Sequence, residues 1–365
     1  MKLFISTDLN TNTSGDIVAT KELEAMQLLA SENNEKVIIL NSNDIAPTKN
    51  GLLDIPFLID YLTLERLSNL DLTTVDLAHM YGGSYTQTVR FLKSKGIKTT
   101  YSCMMHDRKI SIEEYEKLIG SYPFPHVKDD RLWPFYIGAI KEADLVITPG
   151  KAPKELLIKE GAKKVICIQH GCNIPNIDKI KPFPKQFRVG YMGAYGPDKG
   201  LRYLIESWSL LNYQDDSTLI LAGNQSQYLE PFIQKYANTG KYNLLGFVPD
   251  ISDFYNSISL YIQPSATEAF GMEVIEAMSY GRPVIVSTGA GSADCITNGE
   301  DGFVIPSMNS RLILEKIDWF KQYPDKIIEL GKKARENSLN YSWNIIKQRY
   351  IQTWKNLLQM KLIQS

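Results

Sequence analysis

Cysteine is scarce in this chain, at four of 365 residues, and none of Cys103, Cys167, Cys172 and Cys295 stands in a Cys-x-x-Cys pair. That spacing excludes a zinc knuckle and a disulfide framework, and the thiols read as reduced core residues. An excess of either charge is also missing. Forty basic and 41 acidic residues leave a net charge of −1, so no overall field draws the chain to nucleic acid. Met1 to Asp8 turns polar too early for a secretory leader, and no run approaches the roughly 18 apolar residues of a membrane span. A cytoplasmic protein is expected, with room for peripheral contact at the inner face of a membrane. Asp-x-Asp pairs and histidine clusters are lacking too, so a divalent cation would find no ligand set. Neither a metal nor a bound cofactor is expected.

What is present is an ordinary globular composition, 44% apolar and 22% charged, at a length that suggests two cores rather than one. Short Val- and Ile-rich runs alternate with stretches of helical period, the pattern of parallel strands joined by crossover helices. The first half offers strands at Lys2 to Thr7, Lys36 to Leu40, Ile97 to Met104, Leu145 to Thr148 and Val165 to Ile168. After Asn173 to Gln186, with Pro175, Pro182 and Pro184, the alternation starts afresh at Arg188 to Met192. It continues at Thr218 to Ala222, Tyr242 to Leu245, Leu260 to Gln263 and Pro283 to Ser287. The proline-rich stretch reads as a linker, giving an α/β protein with an N-terminal domain over 1–178 and a C-terminal domain over 179–342. Two doubly wound sheets should face each other across a cleft and bind ligands beyond the carboxyl ends of their strands. The last segment, 343–365, puts Ile346, Tyr350, Trp354, Leu357 and Leu358 on one helical stripe. Its opposite face mixes Gln and Asn with Lys, which favours docking on the protein, back toward the N-terminal domain, over docking on lipid.

The most informative stretch runs from Pro264 to Ile285. It reads as strand end, loop, helix, glycine stop at Gly281 and next strand after Pro283. Glu268 falls in the loop and Glu276 inside the helix, so both carboxylates can point toward the mouth of the sheet. The helix begins around Phe270, Gly271 and Met272, where free backbone amides make a seat for a phosphate. Carboxylates would accept hydrogen bonds from hydroxyls, so the chemistry suits a sugar joined to a nucleotide through a diphosphate. This stretch resembles the signature of the retaining glycosyltransferases of family four, which have the two-lobed GT-B fold. The resemblance implies that Glu268 contacts the donor sugar and Glu276 the nucleotide ribose, with Ala269 to Met272 lining the donor site.

A second match lies at Val189 to Gly200, a strand opening into a glycine-rich turn at Gly193 with Lys199 at the helix entrance. A lysine there can neutralise a leaving diphosphate, and Lys199 resembles the family lysine that does so. The family usually has an arginine where this chain has Ala194; Arg202 and Arg282 are the candidates to replace it. Asp294, after Ala290 to Ala293, takes the place of a common glutamate and reads as structural. In the N-terminal half, Asn10 to Asp16 occupies the place of the family's paired-glycine loop, with Gly15 as its surviving glycine. His106 resembles the histidine beside the reaction centre. His79, Tyr81 and Asp107 are candidates for the acceptor pocket, and His170 for a hinge.

The resemblance thus implies a metal-independent transferase that passes a sugar from a nucleotide-sugar, such as a UDP- or GDP-sugar, to a glycan or lipid-linked acceptor with retention of configuration. His106, Glu268 and Lys199 would be its catalytic residues. Two readings compete: a sugar-nucleotide epimerase or phosphorylase on the same architecture, and a catalytically silent scaffold subunit that kept the fold, to which the missing arginine lends weight.

Overall fold

The computed structural model describes residues 1–9, 14–45, 56–121, 123, 133–211, 217–223, 233–234 and 242–364. Most of the expected polar loop, Asn10 to Thr13, lies outside these residues.

Each half builds one sheet of six parallel strands. In the first, β1 (Lys2–Ser6), β2 (Val37–Leu40), β3 (Leu77–Tyr81), β4 (Lys98–Ser102), β5 (Leu145–Thr148) and β6 (Val165–Cys167) lie in the order β2-β1-β3-β4-β5-β6. In the second, β7 (Arg188–Met192), β8 (Thr218–Ala222), β9 (Tyr242–Gly246), β10 (Leu260–Gln263), β11 (Val284–Ser287) and β12 (Gly302–Ile305) are ordered β12-β11-β10-β7-β8-β9. Helices cover both faces, so the central strands carry continuous apolar runs rather than an alternation, and β1, β5, β10 and β11 are buried throughout. The strand order reverses at β1/β3 in one sheet and at β7/β10 in the other. The loops that leave these four strands therefore open into a crevice.

Two strands escape the sequence reading. β12 begins at a glycine, and β3 holds His79, which corrects its placement in an acceptor pocket. His79 is fully buried in the sheet core. Its Nε2 lies 2.6 Å from Glu22 Oε2 and its Nδ1 2.7 Å from Thr100 Oγ1. Ser102 and Tyr350 hydroxyls donate to the other Glu22 oxygen, and Trp354 Nε1 donates to Thr100 Oγ1 at 3.1 Å. A carboxylate this deep is tolerated because donors surround it.

Tyr350 and Trp354 belong to the final helix, Trp343–Gln364. The helix crosses back to the first sheet, where Ile346, Tyr350, Ile351, Trp354 and Leu357 join one core cluster with Phe4, Val18, Met26 and Leu29. Its apolar stripe is covered by protein. Beside this crossing runs the earlier one: Cys172 N–H donates to the Tyr341 carbonyl at 2.9 Å, and a Cβ on Gly171 would lie 2.8 Å from the Trp343 ring. Among the described residues no helix is long and apolar enough to cross a membrane.

Candidate functional site

A cavity of about 510 Å³ opens where the two reversal points face each other. Its N-terminal wall is Asp8 and Gly15 after β1, Tyr81 and Gly82 at the end of β3, and Cys103 and Met104 after β4. Its C-terminal wall is Gly193, Ala194 and Lys199 after β7, and Glu268 to Glu273 after β10.

Backbone contacts join the two C-terminal loops. The Ala266 and Thr267 N–H groups donate to the Asp198 carbonyl at 2.9 and 3.3 Å. Gly200 follows in the left-handed region, at φ 67°, and opens the helix Leu201–Ser209. The Glu268 N–H donates to Gly289 C=O at 2.8 Å, and Glu268 C=O accepts from Gly291 N–H at 3.2 Å. The glycine-rich turn after β11 thus holds the loop in place: a Cβ on Gly291 would lie 2.2 Å from the Ala269 carbonyl oxygen. Within this frame Lys199 and Glu268 form an ion pair. Burial alone would lower the Lys199 pKa, but the carboxylates of Glu268 and Asp198 more than offset it and the net shift is upward. The ammonium stays charged.

The helix Met272–Ser279 starts against the same cavity, after Gly271 at φ 88°. The partial positive charge of its N-terminus favours an anion, although the Val274 N–H already donates to the Gly271 carbonyl at 3.3 Å. Glu273, half-buried in that first turn, also lines the cavity and was not singled out from the sequence. Burial, with Glu276 and Glu268 nearby, pushes its carboxyl up to about 7. Glu276 stands one turn on, outside the lining, and accepts from the Tyr255 hydroxyl at 2.8 Å. Burial raises its pKa while that bond pulls it down.

On the opposite wall, burial and then Asp16 raise the Asp8 carboxyl. Burial, Glu22 and Asp8 keep the Tyr81 phenol protonated. The Cys103 thiol is pushed up to about 12 by burial, so it offers no thiolate nucleophile; all four cysteines are free thiols. His170, expected as a hinge, lies under the cavity, buried and 4.9 Å from Phe270 ring to ring. Desolvation lowers its pKa to about 3.

The remaining candidates sit outside the lining. Asp107, expected at the acceptor pocket, caps the helix Arg108–Ile119 by accepting from the Lys109 and Ile110 N–H groups, and its own N–H donates to Thr267 Oγ1 at 2.7 Å. Its neighbour His106 is exposed. The Asp198 pKa, raised chiefly by burial, is held back by Lys199 and His106. Asp294 accepts from the Lys151 N–H at 2.6 Å, at the start of the helix Lys151–Lys159 that follows β5.

Neither arginine proposed to replace the one missing at Ala194 reaches the cavity. Arg202 binds Glu114 at 2.8 Å. Arg282 is buried, donating to the carbonyls of Tyr255 and Lys181 at 2.7 and 2.9 Å. Among the described residues no cluster of three or more His, Cys, Asp or Glu side chains could hold a metal ion.

Comparison with known proteins agrees with this layout. Residues 173–337 match the family described as Glycosyl transferases group 1. The chain is 27% identical over 161 residues to the Campylobacter jejuni N,N'-diacetylbacillosaminyl-diphospho-undecaprenol alpha-1,3-N-acetylgalactosaminyltransferase, a stretch that spans 44% of this chain and 42% of that one. A sucrose-phosphate synthase structure from Thermosynechococcus elongatus superposes with a TM-score of 0.75 over 98% of this chain and 99% of that one, at 16% identity. An Anabaena protein, HepE, solved in complex with UDP and glucose, superposes at 0.68 over 98% and 100%, at 18% identity. The fold is GT-B.

Proposed function

We propose that the chain is a retaining, metal-independent glycosyltransferase that moves a sugar from a nucleoside diphosphate sugar to a hydroxyl of a glycan or lipid-linked acceptor, a reading supported by the match of residues 173–337 to the family described as Glycosyl transferases group 1. The observation that carries this reading is the Lys199–Glu268 pair beside the N-terminus of the helix Met272–Ser279, in a cavity walled by the reversal loops of both sheets. The diphosphate would lie on that N-terminus and on the Lys199 ammonium, which stabilise the charge that builds on the departing oxygen. Glu268 would accept from sugar hydroxyls. The bond from the anomeric carbon to the diphosphate breaks through an oxocarbenium-like state. The acceptor oxygen bonds to that carbon on the same face, and its proton passes to the departing phosphate oxygen. Asp8 and Tyr81 on the opposite wall would orient the acceptor. The name of the Campylobacter relative, which carries a diphospho-undecaprenol unit, supports a lipid-linked acceptor. The Anabaena complex with UDP and glucose supports a nucleotide-sugar donor.

The test is thermal stabilisation by a panel of UDP-, GDP-, ADP- and CMP-sugars, followed by NMR of the product's anomeric proton with and without EDTA. A donor that raises Tm and yields a glycoside of unchanged configuration, in EDTA as well, is the expected result. A rearranged sugar nucleotide made without acceptor would replace this reading by an epimerase. Silence across the panel would favour a scaffold subunit.

A further inference from the structure

The charge of the cavity is at odds with an anionic ligand. Among the described lining residues, Asp8, Glu268 and Glu273 carry carboxyl groups and Lys199 the one ammonium, which Glu268 already engages. Arg202 and Arg282 are held elsewhere. His170 stays neutral, because burial takes its pKa down to about 3.

Glu273 is where the conflict concentrates. It is the second residue of Met272–Ser279, and a Cβ on Gly193 would lie 3.7 Å from its Oε1. Its carboxyl group therefore faces the glycine turn after β7, within the cavity and at the N-terminal end of the helix. Around it stand Glu276 on its own helix, Glu268 and Lys199 on the two loops, Tyr191 on β7, Tyr261 on β10 and Tyr255 on the helix Ile251–Ser257. Burial keeps those three phenols protonated and neutral, so none adds a charge of either sign. An ionised Glu273 would repel a phosphate oxygen, whereas the protonated acid has a hydrogen to donate to it.

We propose that Glu273 takes up a proton from solvent as the diphosphate enters, so that donor binding is coupled to protonation of this one side chain, which then donates a hydrogen bond to a phosphate oxygen. The proposal rests on the reading of this cavity as a nucleotide-sugar site. Burial and the neighbouring acids already bring Glu273 to about 7, so the proton costs little near neutral pH.

Isothermal titration with UDP-glucose and with GDP-mannose, whose bridged phosphates stay ionised from about pH 6 to 8, tests it in buffers of differing ionisation enthalpy. For a group titrating near 7, the protonated fraction falls from about nine-tenths at pH 6 to about one-tenth at pH 8. The affinity of whichever ligand binds should therefore fall about tenfold across that range, with net proton uptake near one at the alkaline end. Glu273→Gln should keep the affinity measured at pH 6 and hold it flat to pH 8, with no proton uptake.

A slope that survives in Glu273→Gln overturns the proposal; if it vanishes instead in His106→Gln, the coupling belongs to that imidazole. Equal weakening of Glu273→Gln at both pH values also overturns it, since the carboxylate would then be accepting from a ligand hydroxyl. Flat binding by the native protein defeats the coupling and leaves the donor-site reading standing. Failure of the folded protein to bind any sugar nucleotide defeats both.

Discussion

A Cβ on Gly200 would sit 2.0 Å from the carbonyl oxygen of Pro264: the turn that carries Lys199 is pressed against the loop that carries Glu268. Gly200 also holds φ 67°, so any side chain there meets both a clash and backbone strain. Gly200→Ala should lower stability by about 1–3 kcal/mol and displace Lys199. Differential scanning calorimetry would register the first effect, and a loss of sugar-nucleotide binding the second.

Lys199 and Glu268 should fail separately and recognisably. Lys199→Met removes the ammonium from the leaving diphosphate and is expected to reduce kcat by about 10²–10³. Glu268→Gln keeps the shape but removes the charge and turns one of two acceptor oxygens into a donor, so kcat/KM for the donor should drop while free nucleoside diphosphate still binds. Steady-state kinetics beside nucleotide titrations would separate the two, and equal loss of nucleotide binding in both would mean that the pair acts only as a structural tie.

His170 should give the protein an acid-sensitive limb. Its folded pKa of about 3 lies below the roughly 6.5 of an unfolded histidine, so the unfolded chain takes up the proton first as pH falls. The contribution is fully present above about 6.5 and is lost progressively toward 3, amounting to about 2 kcal/mol between pH 7 and 5. Urea unfolding of His170→Leu over that interval should show a shallower decline than the native protein. Parallel slopes would place the acid sensitivity elsewhere.

The buried Glu22 network predicts stability effects without a change in ligand binding. Tyr350→Phe withdraws one donor from Glu22 and should cost about 1–3 kcal/mol. His79→Ala strands the carboxylate further and should cost about 3–5 kcal/mol. Both are measurable by denaturant unfolding. Sugar-nucleotide affinity in the folded fraction should be unchanged, because neither residue lines the cavity; a weaker affinity in His79→Ala would restore a role at the site.

Much of the C-terminal site could be read along the chain, because Pro264 to Ile285 places loop, helix start and stop in one continuous run, with Lys199 on the adjoining strand's loop. What could not be read depends on distant partners. His79 looked available because it follows a strand-like run, yet it lies inside the strand, and Glu22 and Thr100, far away in sequence, satisfy both its nitrogens. Asp107 looked like a site acid until the following helix claimed it as a cap. Glu273 was not singled out, since an acid in a first helical turn is ordinary; its nearness to Gly193, on another strand's loop, is what shows it in the cavity. Nothing local reveals that Arg202 and Arg282 are bound away from Ala194's place, since their partners come from Glu114 and from the Lys181 carbonyl.

The first sheet packs against a helix that follows the whole second sheet in chain order, and Trp354 and Tyr350 are as much part of that interior as Phe4 or Met26. During synthesis, then, the first sheet cannot close when its own strands are complete: it waits with an open face until the second sheet and the helix after it have emerged. A nonsense codon near residue 343 would leave a chain that retains every catalytic candidate and still lacks the wall that lets half of the cleft exist.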